Sequence, residues 1–127
     1  MLDIVYKAET KNREDETFTY IGMTAEPFRK RFAKHAQSFR NPRYSNETKL
    51  SRKVWNIKET EGQWNGAFFE IEKLSKSYSP GDFMCKLCID EKIAIIGNQS
   101  DNLLNNRIEI FAKCRHRARH KLRRILE

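Results

Sequence analysis

Three short stretches of the chain are rich in β-branched and aromatic residues or alternate apolar with polar positions. Both patterns predict β-strands, which we place at residues 4–8, 17–21 and 67–74. The entirely polar residues 10–16 separate the first two strands and are typical of a hairpin loop. Residues 75–83 contain Pro80-Gly81 and are predicted to form a second loop.

Apolar residues recur at helical spacing in four other stretches, residues 25–39, 48–59, 82–96 and 106–126. Thr24 suits the N-cap of the first helix, and Gly97 suits the position just after the third. The order β-β-α-α-β-α-α predicts an α+β fold with a small mixed β-sheet of about three strands flanked by helices. No repeat or linker divides the chain, so we expect one domain over 1–127, with a core at 3–107 and a basic C-terminal helix at 107–127.

The composition narrows the class of protein. The chain has 127 residues, with 25 Lys and Arg against 17 Asp and Glu, which gives a net charge of +8. No apolar run approaches the ~18–20 residues of a membrane span, and the first residues lack a signal-peptide pattern. Three cysteines, an odd number, argue against a disulfide scaffold. We therefore expect an intracellular protein that binds a polyanion and no membrane.

The positive charge is concentrated in two segments. Residues 28–58 contain ten basic residues and one acidic residue, and residues 107–127 contain eight basic and two acidic residues. This distribution suits contact with a phosphate backbone, although ordinary surface charge would look similar. The residues that we expect to contact DNA are Lys30, Lys34, Arg40, Lys53, Arg115, Arg117 and Arg119.

The first predicted helix combines an aromatic face with two polar side chains one turn apart. Phe28, Phe32, Ala36 and Phe39 share one face at 100° per residue and are predicted to be core. Arg31 and His35 are four residues apart, so their side chains lie one above the other at the rim of that face. They can point together into a cleft, or they can be a surface Arg beside a partly buried His.

The third predicted helix carries a charge among apolar residues. Leu87, Glu91 and Ile95 share one stripe, whereas Asp90 and Lys86 are predicted to lie on the polar side. A carboxylate in apolar surroundings is costly unless it is paired or binds a metal. Glu91 is therefore a candidate metal ligand, and a buried ion pair with an Arg is the alternative.

Two short motifs, Ile4-Val5-Tyr6 and Tyr20-Ile21-Gly22, stand on adjacent predicted strands joined by a polar hairpin. Together they resemble the two-strand signature of the GIY-YIG nuclease superfamily, although Ile4 stands where the family usually has Gly. Four further residues follow in the order of that family, namely Arg31, His35, Glu91 and Asn105. The resemblance covers residues 3 to about 107 and implies the GIY-YIG nuclease fold.

The C-terminal half resembles a narrower group, the GIY-YIG modules of retroelements, including the Penelope-like group. There a Cys-x-x-Cys opens the Glu-bearing helix and a Cys-x-His follows the Asn, as Cys85, Cys88, Cys114 and His116 do in this chain. Two thiolates at a helix start, completed by a distant Cys and His, can hold a structural Zn²⁺. His120 is an alternative fourth ligand. Three unrelated buried cysteines, or a redox pair, are the other interpretations.

The resemblance implies an endonuclease that hydrolyses DNA phosphodiester bonds with one Mg²⁺ or Mn²⁺ held by Glu91. Tyr6, with Tyr20 as its close partner, is expected to orient or deprotonate the attacking water. A phenol with a pKa of ~10 is a poor base, so we expect nearby cations, from Arg31, His35 or Lys30, to assist it. Tyr6 can alternatively be a core residue with its hydroxyl on Glu91.

The remaining roles and partners also follow from the resemblance. Arg31 is expected to bind the scissile phosphate, and Asn105 is expected to hold the geometry of the site. His35 is expected either to donate a proton to a reacting group or to position it. One active site nicks one strand, so double-strand cleavage would need a homodimer or a second cleavage event. The chain can also be part of a larger polyprotein. A retroelement protein of a eukaryote would be nuclear, and otherwise we expect it in the cytoplasm. The alternative function is a non-catalytic, zinc-stabilised nucleic-acid-binding module.

Overall fold

Three strands form one antiparallel sheet in the order β2-β1-β3. The structure, a computed structural model, describes residues 3–75, 85–98 and 102–105. The strands are β1 (Asp3–Lys11), β2 (Thr17–Thr24) and β3 (Ala67–Ser75). In the β1–β2 hairpin Tyr6 is paired with Gly22, and a register shift between Val5 and Tyr6 interrupts the pairing of β1 with β3.

The predicted α+β class is confirmed, but the prediction of a mixed sheet is wrong for these three strands. β2 and β3 run in the same direction, and β1 lies between them and is antiparallel to both. The chain therefore makes a helical crossover without bringing two parallel strands side by side. Among the described residues, the parallel contact is an isolated bridge between Thr19 of β2 and Leu103.

Three helices and one 3₁₀ turn connect and cover the sheet. They are α1 (Phe28–Arg40), the 3₁₀ turn (Pro42–Tyr44), α2 (Lys49–Glu61) and α3 (Lys86–Gly97). The helix predicted at 106–126 lies outside the described residues. Thr48 caps α2 in a capping box with Ser51, and Gly62 ends the helix in the left-handed conformation that favours glycine.

The start of α1 was predicted wrongly, three residues too early. Thr24 is the last residue of β2, and its hydroxyl accepts a hydrogen bond from the backbone N–H of Glu26 rather than capping a helix. Pro27 is the N-cap of α1. A residue that precedes proline is disfavoured in the helical region, so Glu26 cannot belong to the helix.

The core lies on both faces of the sheet. On one face, α1 and α2 pack against β1 through Ala8, Phe39, Leu50 and Val54. Neighbouring residues of a strand point to opposite faces, and Val5 of β1 packs with α3 on the other face. Within the described part of the chain, no helix is long and apolar enough to cross a membrane.

Phe32 departs from the predicted core face of α1. Its side chain is 47% exposed, whereas Phe39 is buried. The Phe32 ring packs edge-on against Phe69 of β3, with 5.1 Å between the ring centroids. Because β3 is an edge strand, Phe32 is covered from one side and remains open on the other.

Candidate active site

The hydroxyl of Tyr6 lies at the centre of a buried hydrogen-bonded group. It is 2.6 Å from Nε2 of His35 and 3.2 Å from Nε of Arg31. Tyr6 is fully buried and His35 is 2% exposed. The four-residue spacing on α1 therefore brings Arg31 and His35 to the same atom, the hydroxyl oxygen of Tyr6 on β1. Of the two interpretations of this pair, the shared cleft agrees with the structure.

The direction of these hydrogen bonds can be assigned from the donors available. The Arg31 guanidinium only donates, so the Tyr6 oxygen accepts from it. The phenol proton of Tyr6 then points to Nε2 of a neutral His35, an assignment that gives both the Arg31 Nε–H and the phenol O–H an acceptor. The result is a chain from the Arg31 cation through Tyr6 to an unprotonated imidazole nitrogen.

The acidity of Tyr6 differs from the prediction. Burial raises the pKa of Tyr6 above 10.0, and this effect outweighs the opposing charge and hydrogen bond of Arg31. The charge of Glu91 raises the pKa of Tyr6 further. Arg31 is the predicted neighbouring cation and lowers the pKa of Tyr6, but desolvation of the phenolate is the larger effect, so the net shift is upward.

His35 is neutral, which contradicts its predicted use as a cation beside Tyr6. Burial, followed by the charge of Arg31, lowers the pKa of His35 from 6.5 to about 4. Aromatic rings surround the imidazole, with Tyr6, Tyr20 and Phe69 at ring-centroid distances of 5.6, 6.0 and 5.4 Å. At neutral pH the ring is therefore a proton acceptor in an apolar cage.

Arg31 connects the buried group to the surface. Its side chain is half-buried, and although desolvation opposes the charge, Tyr6 and a hydrogen bond with Tyr20 raise the pKa of Arg31. The Tyr6 and Tyr20 ring centroids are 6.5 Å apart. Tyr20 is thus the close partner of Tyr6 that the sequence predicted, and both hydroxyl groups interact with one guanidinium.

One of the two adjacent carboxylates of α3, Asp90, departs from its predicted environment. Asp90, predicted on the polar side, is 6% exposed, and its oxygens lie 3.0 Å from Nζ of Lys73 and 2.5 Å from Oγ of Ser75. Glu91 is half-buried and close enough to Tyr6 for its charge to affect the phenol. Asp90 therefore fastens α3 to β3, while the charge of Glu91 acts on the phenol of the candidate site.

Asn105 acts on the backbone of β2. Its Oδ1 accepts from the N–H of Ile21 and its Nδ2 donates to the carbonyl of Ile21, both at 2.7 Å. The amide group thus reproduces the hydrogen bonds of a neighbouring strand. Asn105 holds the segment between Tyr20 and Gly22, which is how it maintains the geometry of the site.

The residues expected to contact DNA are not all close together. Lys30 and Lys34 are exposed on α1 and flank Arg31, and Lys34 forms a 2.7 Å ion pair with Glu26. Arg40 is exposed about 13 Å further along the helix axis. Lys53 of α2 is instead 3.8 Å from the ring centroid of Phe18. The remaining three, Arg115, Arg117 and Arg119, lie outside the described residues.

The described residues include the predicted Mg²⁺ ligand, Glu91, and two of the predicted zinc ligands, Cys85 and Cys88. Within 3–75, 85–98 and 102–105, no three His, Cys, Asp or Glu side chains form a metal-binding group. Mg²⁺ often binds through one carboxylate together with phosphate oxygens and water, so Glu91 alone fits a catalytic site of this kind. Cys85 and Cys88 are both buried where α3 begins, and the other proposed zinc ligands, Cys114, His116 and His120, lie outside the described residues.

Two recesses open in the described surface. One of about 350 Å³ adjoins the site and is lined by Arg31, His35 and other residues of α1, together with Tyr44, Glu47 and Thr48 of the α1–α2 connection. Tyr44, Glu47 and Thr48 carry no sequence signal for this site, because their approach to α1 depends on the 3₁₀ turn. A larger recess of about 660 Å³ lies near Trp64, and it includes none of the predicted site residues.

Comparisons with known proteins found no relative of this chain. No protein-family model matches the chain, and no curated protein or solved structure matches it. The motif residues and the contacts that they make are therefore the basis for assigning a function.

Proposed function

We propose that the protein is a metal-dependent endonuclease of the GIY-YIG type that hydrolyses DNA phosphodiester bonds and nicks one strand per active site. The hydrogen-bonded chain from Arg31 through Tyr6 to His35 is the observation that carries this proposal. A cation, a phenol and a neutral imidazole meet in an apolar cage, with the charge of Glu91 nearby. A phosphate anchor, a proton acceptor and a metal ligand are groups that together can catalyse phosphodiester hydrolysis.

Arg31 is the phosphate anchor. Its guanidinium is half-buried and fully charged, and its planar fork matches the oxygens of a phosphate. Tyr6 and Tyr20 both bond to this side chain, so its position is restricted before substrate arrives. Arg31 would therefore place the scissile phosphate next to the two phenols.

Tyr6 and His35 move the proton of the attacking water as a pair. Tyr6 takes this proton on its phenol oxygen while its own proton passes to Nε2 of His35 along the 2.6 Å contact. No free phenolate is needed, which resolves the difficulty posed by the raised pKa of Tyr6. Phosphate binding at Arg31 offsets the positive charge that helps to lower the pKa of His35, so substrate makes the imidazole a stronger base.

Glu91 is the ligand for the divalent cation. A cation there would act as a Lewis acid toward the leaving oxygen and would offset the effect of Glu91 on the pKa of Tyr6. The position of Glu91 on α3 is stabilised by its neighbour Asp90, which is tied to Lys73 and Ser75. Glu91 thus has a metal-binding role and Asp90 has a structural role.

The test is nicking of supercoiled plasmid by purified protein with and without Mg²⁺. We expect the wild type to convert plasmid to nicked circles only with Mg²⁺, and Glu91→Gln to bind the same DNA without cutting it. Equal cleavage by both proteins would contradict the role of Glu91. Tight binding by the wild type with no cleavage would favour the non-catalytic binding module instead.

A further inference from the structure

The recess beside the candidate active site has the size and walls of a ligand pocket. Its volume is about 350 Å³, and Arg31 and His35 form one side of it. Tyr44 and Glu47, from the connection between α1 and α2, lie on another side together with Thr48. Whatever occupies this recess would lie next to the phosphate that Arg31 is proposed to bind.

The groups around the recess match a nucleobase. Tyr44 offers a half-buried aromatic ring for stacking, and the guanidinium of Arg43 is 6.0 Å from its centroid. Glu47 is exposed, and its carboxylate can accept hydrogen bonds from the exocyclic amino group of a base. An aromatic platform and an acceptor beside a phosphate anchor are the elements by which proteins hold an unpaired nucleotide.

The wall that carries Tyr44 is held in place by local hydrogen bonds. Oδ1 of Asn41 accepts from the N–H of Arg43, and Oγ of Ser51 donates to the carbonyl of Ser45, each at 3.0 Å. The N–H of Glu47 bonds to the carbonyl of Tyr44 at 3.1 Å. The recess is therefore formed in advance, without a ligand to shape it.

We propose that this recess seats an unpaired nucleobase directly adjacent to the scissile phosphate. The proposal rests on the proposed nuclease function and names its substrate class as DNA with an unpaired nucleotide at the cleavage point, such as a flap or a loop. A base in an intact duplex is stacked and paired, so it cannot enter a recess beside Arg31 unless it leaves the helix. An already unpaired base enters without that cost.

The test uses a flapped duplex whose cleavage position has first been mapped with the wild type. An abasic residue is placed in turn on either side of the cleaved bond. We expect one of the two substitutions to lower kcat/KM about tenfold, as for loss of one base–aromatic stack. Tyr44→Ala should cleave the abasic and normal substrates equally, whereas Tyr44→Phe, which keeps the ring, should behave as the wild type.

A binding measurement separates this proposal from the nuclease function. With EDTA present, 2-aminopurine is placed in turn at each unpaired position next to the flap junction, without reference to cleavage. At one of these positions its fluorescence should be quenched by the wild type and by Tyr44→Phe, but not by Tyr44→Ala. An unchanged rate of cleavage with an abasic residue on either side would overturn the proposed base pocket, while the nuclease function would still hold. Quenching that depends on Tyr44, with no cleavage in Mg²⁺, would support the pocket and overturn the nuclease.

Discussion

Tyr6 crosses over Gly22 so closely that a Cβ atom at residue 22 would lie 2.4 Å from both Cζ and Oη of the phenol. The two residues are paired in the β1–β2 hairpin. The glycine of the Tyr20-Ile21-Gly22 motif therefore serves the phenol of the other motif, because any side chain at this position would move the hydroxyl away from His35.

Replacement of Gly22 by Ala should displace the Tyr6 hydroxyl and reduce DNA cleavage. Overpacking of a buried site typically costs about 1–3 kcal/mol, and we expect a loss of stability in that range. Gly97→Ala is the matched control, since a Cβ there meets no atom within 4 Å. Urea unfolding and plasmid nicking of both variants test this; equal behaviour of the two would contradict the close approach.

The low pKa of His35 predicts a dependence of stability on pH. In the unfolded chain His35 takes up a proton near pH 6.5, whereas in the folded protein its pKa is about 4. The folded state binds fewer protons between these values, so its stability falls as pH drops from about 6.5 to 4, by about 3 kcal/mol at most.

The contribution of His35 can be isolated by denaturant unfolding at pH 7 and at pH 5. The wild type is compared with His35→Gln at both pH values. The wild type should lose more stability than the variant over that interval, because the variant has no imidazole at residue 35. An NMR titration should assign His35 a pKa well below 6. A midpoint near 6.5 would contradict the buried, neutral imidazole.

Asp90 is predicted to matter for stability rather than for cleavage. Asp90→Asn keeps the shape of the side chain but weakens its charged hydrogen bonds to Lys73 and Ser75. We therefore expect the free energy of unfolding to fall by about 1.5–3 kcal/mol. Asp15→Asn is the control, because the Asp15 side chain is 83% exposed. Cleavage per folded molecule should stay near the wild-type rate in both; abolished cleavage by a fully folded Asp90→Asn would make Asp90 part of the site.

Much of the arrangement around Tyr6 could be predicted from local patterns. The spacing of Arg31 and His35 predicted that their side chains would lie one above the other on one helix, and the polar hairpin predicted that Tyr6 and Tyr20 would lie on neighbouring strands. These predictions succeeded because helical and hairpin geometry is set by nearby residues.

Features that depend on distant contacts were predicted less well. The polarity pattern of α3 placed Glu91 inside and Asp90 outside, but Lys73 and Ser75 of β3 provide partners that allow Asp90 to be buried. The acidity of Tyr6 and His35 likewise depends on the depth of the apolar cage, which a one-dimensional pattern does not contain. Tyr44 and Glu47 were missed because a 3₁₀ turn directs them toward α1.

The proposed zinc site predicts about one Zn²⁺ per purified chain, held by Cys85, Cys88, Cys114 and His116 or His120. Elemental analysis of the wild type and of Cys88→Ser tests this. The variant should lose zinc, and chelation should destabilise the wild type by removing metal-binding energy from the folded state. Zinc-free protein with three freely titratable thiols would contradict the site.

In the proposed mechanism, Tyr6 and His35 act as one unit on a DNA phosphodiester. The most direct test is the single-turnover cleavage rate with Mg²⁺ for the wild type, Tyr6→Phe, His35→Gln and the double variant. Each single change should slow cleavage by about 10²–10⁴, the range for loss of a proton-transfer residue, and the double variant should be no slower than the slower single variant. Losses that multiply in the double variant, or single variants that cut at the wild-type rate, would contradict the claim.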